Sequence, residues 1–521
     1  MNTVALSSAR GKWIMVSAIL ASSMAFIDST ALNIVLPSLQ QSLGATGASL
    51  FWILNAYLLI LAALILVGGS LGDKLGRKRI FMIGIAIFIC GSAACGLAPT
   101  VSFLIAFRII QGIGGALMIP GSLSLISASI DKAERGKAIG TWSAFTTVVT
   151  MGGPILGGVL GDAGLWRFIF FINIPIGIAA LFILWRQIAE SKDEEGSPVV
   201  DIKGSAALAL GLAALSFGFL RMPGSGFGNW EVYGSLAAGL LLLAAFLFIE
   251  YKSPHPMMPL YLFANATFSG VNLLTFFLYA GLGAAILFLS LNLVQVQGYS
   301  QLQSGLSFLP FTILMVTIAR YAGGLADKYG PGLLLIIGPA TAGLGILLLS
   351  FVKQTNGPSE YWTTFFPGTV VLALGMSFTV APLTAAVMGS VGDHLSGTAS
   401  GVNNAMTRIA SVFANAIFGA LAVLFFYGAM QTQLKPIPLD AKEKRAVMAE
   451  AVNLGNAQVP PGINISDKTA IENAYHSGFI DAYAKIMRSA AALCFLGVLL
   501  SFMFIQKKRS APHKEQTPLQ S

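Results

Sequence analysis

Runs of about twenty apolar residues recur along this chain with only short polar connections between them, and that recurrence leaves few folds open. A helix needs about 20 such residues to cross the hydrocarbon of a bilayer. Inside a bilayer only helices and closed barrels satisfy their own backbone groups. Fourteen stretches qualify, at 13–37, 50–71, 80–98, 101–127, 138–160, 168–186, 204–221, 233–251, 268–293, 303–325, 332–352, 363–388, 400–427 and 484–505. Only 10% of the 521 residues are charged, against about 25% in a soluble domain. The sequence therefore predicts an all-α polytopic membrane protein with fourteen transmembrane helices.

The 31 Lys and Arg against 22 acids would suit a nucleic-acid partner, but their placement argues against one. With the N-terminus inside, the inner loops and tails hold eighteen Lys or Arg and the short outer loops three: Arg167, Arg221 and Lys353. That asymmetry predicts a cell-membrane protein with both termini cytoplasmic. The first apolar run, Trp13 to Leu36, is about 24 residues long, too long for the 7–15-residue core of a signal peptide. Cys90, Cys95 and Cys494 fall in apolar segments without metal-ligand spacing, and the four histidines are far apart in loops or tails. No phosphate-binding loop, nucleophile elbow or metal pair appears. The expectation is a non-enzyme without cofactor or metal, whose surroundings are the lipid bilayer.

The chain repeats weakly. "GGSLGDKLGRKRI" (68–80) follows the second stretch and "AGGLADKYGPGLL" (322–334) the tenth, both at inner membrane ends. Internal halves related in this way are a signature of transporter folds. The predicted organisation is a six-helix bundle over 1–190 and a cytoplasmic linker with a two-helix insertion over 191–260. A second six-helix bundle over 261–506 and a basic tail over 507–521 follow. Residues 428–476 read as a long charged outer loop with a helix-like stretch at 440–451. Such a loop is a lid, a docking surface or a solvated connection, and charge runs are usually solvated.

Five segments sharpen the reading. "GSLGDKLGRKR" (69–79) resembles the loop motif between helices 2 and 3 of the major facilitator superfamily, "RIIQGIGGA" (108–116) its helix 4 motif, and "GGPILGGVLGD" (152–162) its antiporter-associated helix 5 motif. "WRFIFFINIPIG" (166–177) and "FIDSTALNIVLP" (26–37) are similar to the branch of fourteen-helix drug:proton antiporters. The resemblance implies two six-helix bundles plus an inserted pair, working by alternating access.

The residues have a physical reading beside the resemblance. In the loop motif Gly76 permits a tight turn, while Arg77, Lys78 and Arg79 hold the inner face by charge. Asp73 ends the second stretch on the side where the thirteenth begins near Ser400. A helix N-terminus attracts a carboxylate that abuts it, and the resemblance implies such a latch there. The second copy keeps Asp327 and Lys328 but has Pro331 and Gly332 in place of two basic residues, so a symmetrical latch is not expected. In the helix 4 motif Arg108, Gln111, Gly112 and Gly115 share one helix face, and the resemblance implies a role for Arg108 in proton coupling. Gly153, Gly157 and Gly161 recur every four residues, with Pro154 and Gly158 between them. That small-residue spacing lets helices approach closely. Two other intramembrane arginines, Arg320 and Arg408, have no acidic partner nearby in sequence. Some members of the branch this chain resembles carry carboxylates in helix 10 or 13 for divalent cations, so the resemblance implies that dicationic substrates are not expected here.

Asp28 is the one charge between Trp13 and Leu36. A carboxyl in hydrocarbon is cheaper to bury protonated, and an ionised one attracts a cation. Asp28 and Arg108 are therefore the expected proton-coupling pair, with Asn33, Trp52, Asn55, Tyr57 and Arg408 as candidate cavity residues. The expected function is proton-coupled export of small amphipathic molecules. Alternatives are a lipid or metabolite exporter of the same fold and a non-transporting membrane sensor or assembly factor. No periplasmic adaptor is legible.

Overall fold

A computed structural model of the chain describes residues 3–131, 134–191, 201–226, 228–254, 256, 258–391, 395–463 and 465–504. The linker 192–200 and the tail 507–521 lie outside the described residues, as do the side chains of Asp73, Arg320 and Asp327. The first group of helices comprises α1 (Ala9–Leu43), α2 (Gly47–Leu75), α3 (Arg77–Gly96), α4 (Val101–Ser129), α5 (Arg135–Asp162), and the consecutive pair α6 (Phe168–Phe171) and α7 (Asn173–Gln187). A hairpin follows, α8 (Ile202–Ser225) and α9 (Trp230–Lys252). The second group comprises α10 (Ala266–Gln295), α11 (Gln301–Ser307), α12 (Leu309–Tyr329), α13 (Leu334–Leu349), α14 (Phe365–Gly389), α15 (Ser396–Gln433), α16 (Ala441–Ala449) and α17 (Ile465–Phe504). Among the described residues the sole β feature is an isolated bridge between Val4 and Ile130. Twelve helices there are long and apolar enough to cross a membrane, and two shorter apolar helices occupy 148–162 and 334–349.

Several helices start on a side chain that replaces the missing backbone acceptor. Ser8, Thr46, Thr100 and Asn265 accept from the N–H of Gly11, Ser49, Phe103 and Phe268. Once formed, the two groups pack in the same order: α1 on α5, α2 on α4 and α3 on α4 in the first, with α10 on α15, α12 on α14 and α13 on α14 in the second. Glycine sets the distance in both. A Cβ on Gly114 would lie 2.4 Å from the Phe88 nitrogen, and one on Gly375 only 2.1 Å from the Ala342 nitrogen. The groups meet along α2 with α15 and α5 with α11, and α8 packs against α2 and α15.

The segment after the thirteenth apolar stretch differs from a 428–476 loop. Helix α15 continues to Gln433 and α17 begins at Ile465, so the connection without a continuous helix is 434–464, with α16 inside it. The helices outrun their apolar sequence because they still have partners there. The Phe426 ring lies 6.4 Å from Tyr475 and 6.2 Å from Phe479, and the Tyr475 hydroxyl donates to the Val447 carbonyl at 3.0 Å. Reading apolarity alone ends a helix where the hydrocarbon ends. The connection also leans on the first group: Gln40 Nε2 donates to the Asn453 carbonyl, and a Cβ on Gly47 would meet the Val452 carbonyl at 2.7 Å.

Candidate functional site

Asp28 of α1 and Arg108 of α4 form an ion pair, 0% and 1% exposed. Such a pair persists away from water only when its remaining donors and acceptors are satisfied, and here most are. Gln111, one turn beyond Arg108 on α4, donates through Nε2 to Asp28 Oδ1 at 2.9 Å and accepts from Arg108 Nη1 at 2.9 Å. Arg108 Nε donates to the Ile53 carbonyl of α2 at 3.3 Å. The guanidinium sits 4.4 Å from the Tyr57 ring centre and 6.0 Å from that of Phe170. Three helices thus hold one cation, and a single carboxylate balances it.

The glycines of the helix 4 motif make the room. A Cβ on Gly112 would meet the Tyr57 carbonyl at 2.8 Å, and one on Gly115 the Tyr57 hydroxyl at 3.1 Å. A side chain at Gly112 would push the α2 backbone, and with it Tyr57, off Arg108, and one at Gly115 would press on the Tyr57 hydroxyl. The structure therefore brings together Asp28, Arg108, Gln111, Gly112, Gly115 and Tyr57. No hydrogen bond or ring contact joins Asn33, Trp52 or Asn55 to this cluster: the Asn33 carbonyl accepts from Ser290 of α10 at 3.4 Å, Trp52 is half-buried, and Asn55 is fully buried.

On the face that bears the first turn of α1, the loop motif is held by a residue that sequence reasoning passed over. The Glu190 carboxylate accepts from the N–H groups of Lys78 and Ser191 at 2.9 Å and of Arg79 at 3.0 Å, capping α3. Lys78 Nζ in turn donates to the Ile188 and Trp185 carbonyls at the end of α7. Gly76 has φ +114°, and a Cβ there would lie 2.7 Å from the Glu190 carboxylate carbon. Glycine is needed on both counts. Asp73 lies in the last turn of α2. The helix α15 begins at Ser396 and packs along α2, where a Cβ on Gly401 would lie 3.1 Å from Leu66.

On the opposite face, α5 presents glycine in two directions. Cβ atoms on Gly153 and Gly157 would meet Thr30 and Ala31 of α1 at 1.9 and 2.5 Å. One on Gly158 would meet Leu302 Cα of α11 at 2.5 Å, and one on Gly305 the Pro154 carbonyl at 2.4 Å. Asp162, which ends α5, crosses to the other group: its carboxylate accepts from Ser300 Oγ at 2.7 Å and from the N–H of Gln301 and Leu302 at 2.7 and 2.9 Å. Nothing local in the sequence says what Asp162 (the last residue of the helix 5 motif) or Glu190 binds, because each meets backbone N–H groups contributed in part by a remote segment.

Comparison with known proteins settles the family, since the profile of the Major Facilitator Superfamily matches residues 18–415. The chain belongs to the Major Facilitator Superfamily. It is 28% identical over 499 residues to the tetracenomycin C resistance and export protein of Streptomyces glaucescens, covering 95% of this chain and 91% of that one. It is 30% identical over 416 residues to the methylenomycin A resistance protein of Bacillus subtilis, covering 80% and 88%. The fold matches the crystal structure of a bacterial homologue of the human lysosomal transporter Spinster in an inward-facing, unoccupied conformation. That match has a TM-score of 0.69 at 18% identity and covers 97% of this chain and all of that one. As a superfamily member with at least a dozen apolar helices, the chain is a multi-pass membrane transporter whose relatives include drug and antibiotic resistance exporters.

Proposed function

We infer that the protein is a proton-coupled antiporter that exports small amphipathic molecules by alternating access, with fourteen helices crossing the cell membrane and both termini in the cytoplasm. The observation that carries this reading is the buried Asp28–Arg108–Gln111 cluster of a superfamily transporter whose relatives are named for resistance and export. An ionised Asp28 holds Arg108 against α1. A proton on Asp28 neutralises the carboxylate and leaves Arg108 with the Gln111 and Ile53 oxygens and the Tyr57 ring. A substrate that favours one of these states and a proton that favours the other are coupled by that difference alone.

The six-helix bundles over 1–190 and 261–506 are the moving bodies in this reading, with the α8–α9 hairpin inserted between them. Twelve long helices together with the two shorter apolar ones at 148–162 and 334–349 make up the fourteen crossings. Asp73 near the start of α15 is the latch on the cytoplasmic side, with Gly76, Arg77, Lys78 and Arg79 shaping its turn. The test is purified full-length protein in liposomes with an imposed pH gradient and a panel of cationic, neutral and anionic compounds. Substrate-dependent proton movement by the wild type, abolished in Asp28→Asn, is the expected result. No such movement in the wild type, together with normal transport by Asp28→Asn, refutes the reading.

A further inference from the structure

The buried pair accounts for one intramembrane arginine and leaves another without a counter-charge. Among the described residues Arg108–Asp28 and Arg221–Glu231 are ion pairs, and the Arg408 side chain belongs to neither and makes no hydrogen bond to another described residue. Arg408 lies twelve residues beyond Ser396, the start of α15, which is about 18 Å along the helix at 1.5 Å per residue. That depth is within the apolar span that begins at Thr398.

Its direction follows from its neighbours. Residues 401, 405, 408 and 412 share one helix face. A Cβ on Gly401 would touch Leu66, Ala405 packs in the same apolar cluster as Tyr57 and Leu61, and Val412 is buried. Arg408 therefore faces the first six-helix group, along the seam of α2 with α15. Its titratable neighbours are Tyr57 of α2 and Tyr279 of α10. Tyr57 is the residue whose ring covers Arg108, so the free cation and the neutralised one flank a single tyrosine. A polar track leads to it: Asn272, Thr275 and Tyr279 share a face of α10, and Asn403 of α15 donates to Thr275 Oγ1 at 2.7 Å and Asn272 Oδ1 at 3.2 Å.

Placing an arginine at membrane depth is costly unless it meets water, a partner or a ligand. Asp28 is already committed to Arg108 and Gln111, so the seam keeps a net positive charge beside two phenol hydroxyls. We propose that Arg408 is the anion-recognition residue of the transport route, and that the exported amphipaths include molecules bearing a carboxylate or similar anionic group. The guanidinium supplies paired N–H donors to such a group, and the tyrosine rings and the apolar seam hold the rest of the molecule. This assignment rests on the export reading above.

Rhodamine B, with a free carboxylate, and its ethyl ester, without one, form a matched pair of probes. Wild-type, Arg408→Gln and Arg408→Lys full-length proteins are reconstituted in phosphatidylcholine liposomes, where no lipid carries a net negative charge and the zwitterionic dye brings the one carboxylate, and in liposomes that also contain phosphatidylglycerol. The wild type is expected to move the carboxylate dye faster than the ester. Arg408→Gln should lower carboxylate transport about tenfold, the factor set by one charge-assisted hydrogen bond, and leave ester transport within about twofold. Arg408→Lys should retain most of it. Competition by phosphatidylglycerol that disappears in Arg408→Gln identifies a lipid headgroup as the anion recognised by the same residue. If Arg408→Gln does not fold, wild-type preference between the dyes decides. Preference for the ester, or equal loss of both dyes in Arg408→Gln, overturns the assignment and leaves export standing. A wild type that moves neither dye, nor any other compound of the panel, overturns export as well.

Discussion

Replacing Asp162 with alanine should loosen the contact between the two helix groups on the face away from the first turn of α1. The carboxylate holds Ser300 Oγ and the N–H groups of Gln301 and Leu302, all in the other group, at 2.7, 2.7 and 2.9 Å. Helix α11 does not depend on it for its own start, because Ser300 and Gln303 form a capping box. The loss therefore falls on the contact between groups. Charge-assisted bonds are worth roughly 1.5–3 kcal/mol when dry, but Asp162 is exposed, and water reduces the net to about 1 kcal/mol. A contact present in one state and absent from the other shifts the balance by its own free energy, here about fivefold toward the open form. Ser304 reads this out: it is 0% exposed with an unbonded hydroxyl, so cysteine replaces it almost isosterically. With the exposed Cys90 changed to serine and the buried Cys95 and Cys494 retained, Ser304→Cys should react with a membrane-impermeant maleimide about five times faster in Asp162→Ala. A rate unchanged within the error of the labelling assay would show that Asp162 does not hold the groups together.

Gly158→Ala should raise the same labelling rate further, because its Cβ would lie 2.5 Å from Leu302 Cα and 2.6 Å from the Gln301 carbonyl, main-chain atoms that cannot turn aside. Arg108→Gln strands a buried carboxylate and should cost roughly 3–5 kcal/mol in equilibrium unfolding. Adding Asp28→Asn should restore part of that loss; single effects that sum within about 0.5 kcal/mol would deny the coupling. Gly76→Ala meets both a positive φ and the Glu190 carboxylate and should cost about 1–3 kcal/mol. Glu190→Gln removes the charge on the α3 cap and sets an amide NH2 against one of the N–H groups that the carboxylate now accepts, and should cost about 1 kcal/mol. A larger loss of thermal stability in Glu190→Gln than in Gly76→Ala would contradict the described turn.

The helices were legible because hydrocarbon imposes a length and a composition that sequence displays directly. Asp28 and Arg108 were legible for the opposite reason: each is a charge where charges are expensive. Gln111 could be placed beside Arg108 by helical periodicity alone. Tyr57 was visible only as a candidate cavity residue, since nothing in its own segment says that Gly112 and Gly115 of α4 leave space for its backbone and ring. Glu190 carries no local signal, and Asp162 shows only as the last residue of the helix 5 motif, with nothing to say what it binds. A carboxylate near a helix end reads as solvated unless the N–H groups it meets are known, and Asp162 meets them more than a hundred residues away. The extra turns of α15 and α17 were hidden for a related cause, because their partners are each other and α16 rather than lipid.

The glycine approach between α5 and its neighbours has a consequence for how this protein can change. At Gly157, Gly158 and Gly305 the added Cβ would collide within 2.6 Å with main-chain atoms of the facing helix. A mutagenesis library selected for growth on a new toxic compound should recover these three positions unaltered, whatever the compound. They set how far apart two surfaces stand and hold no chemical information about what passes between them.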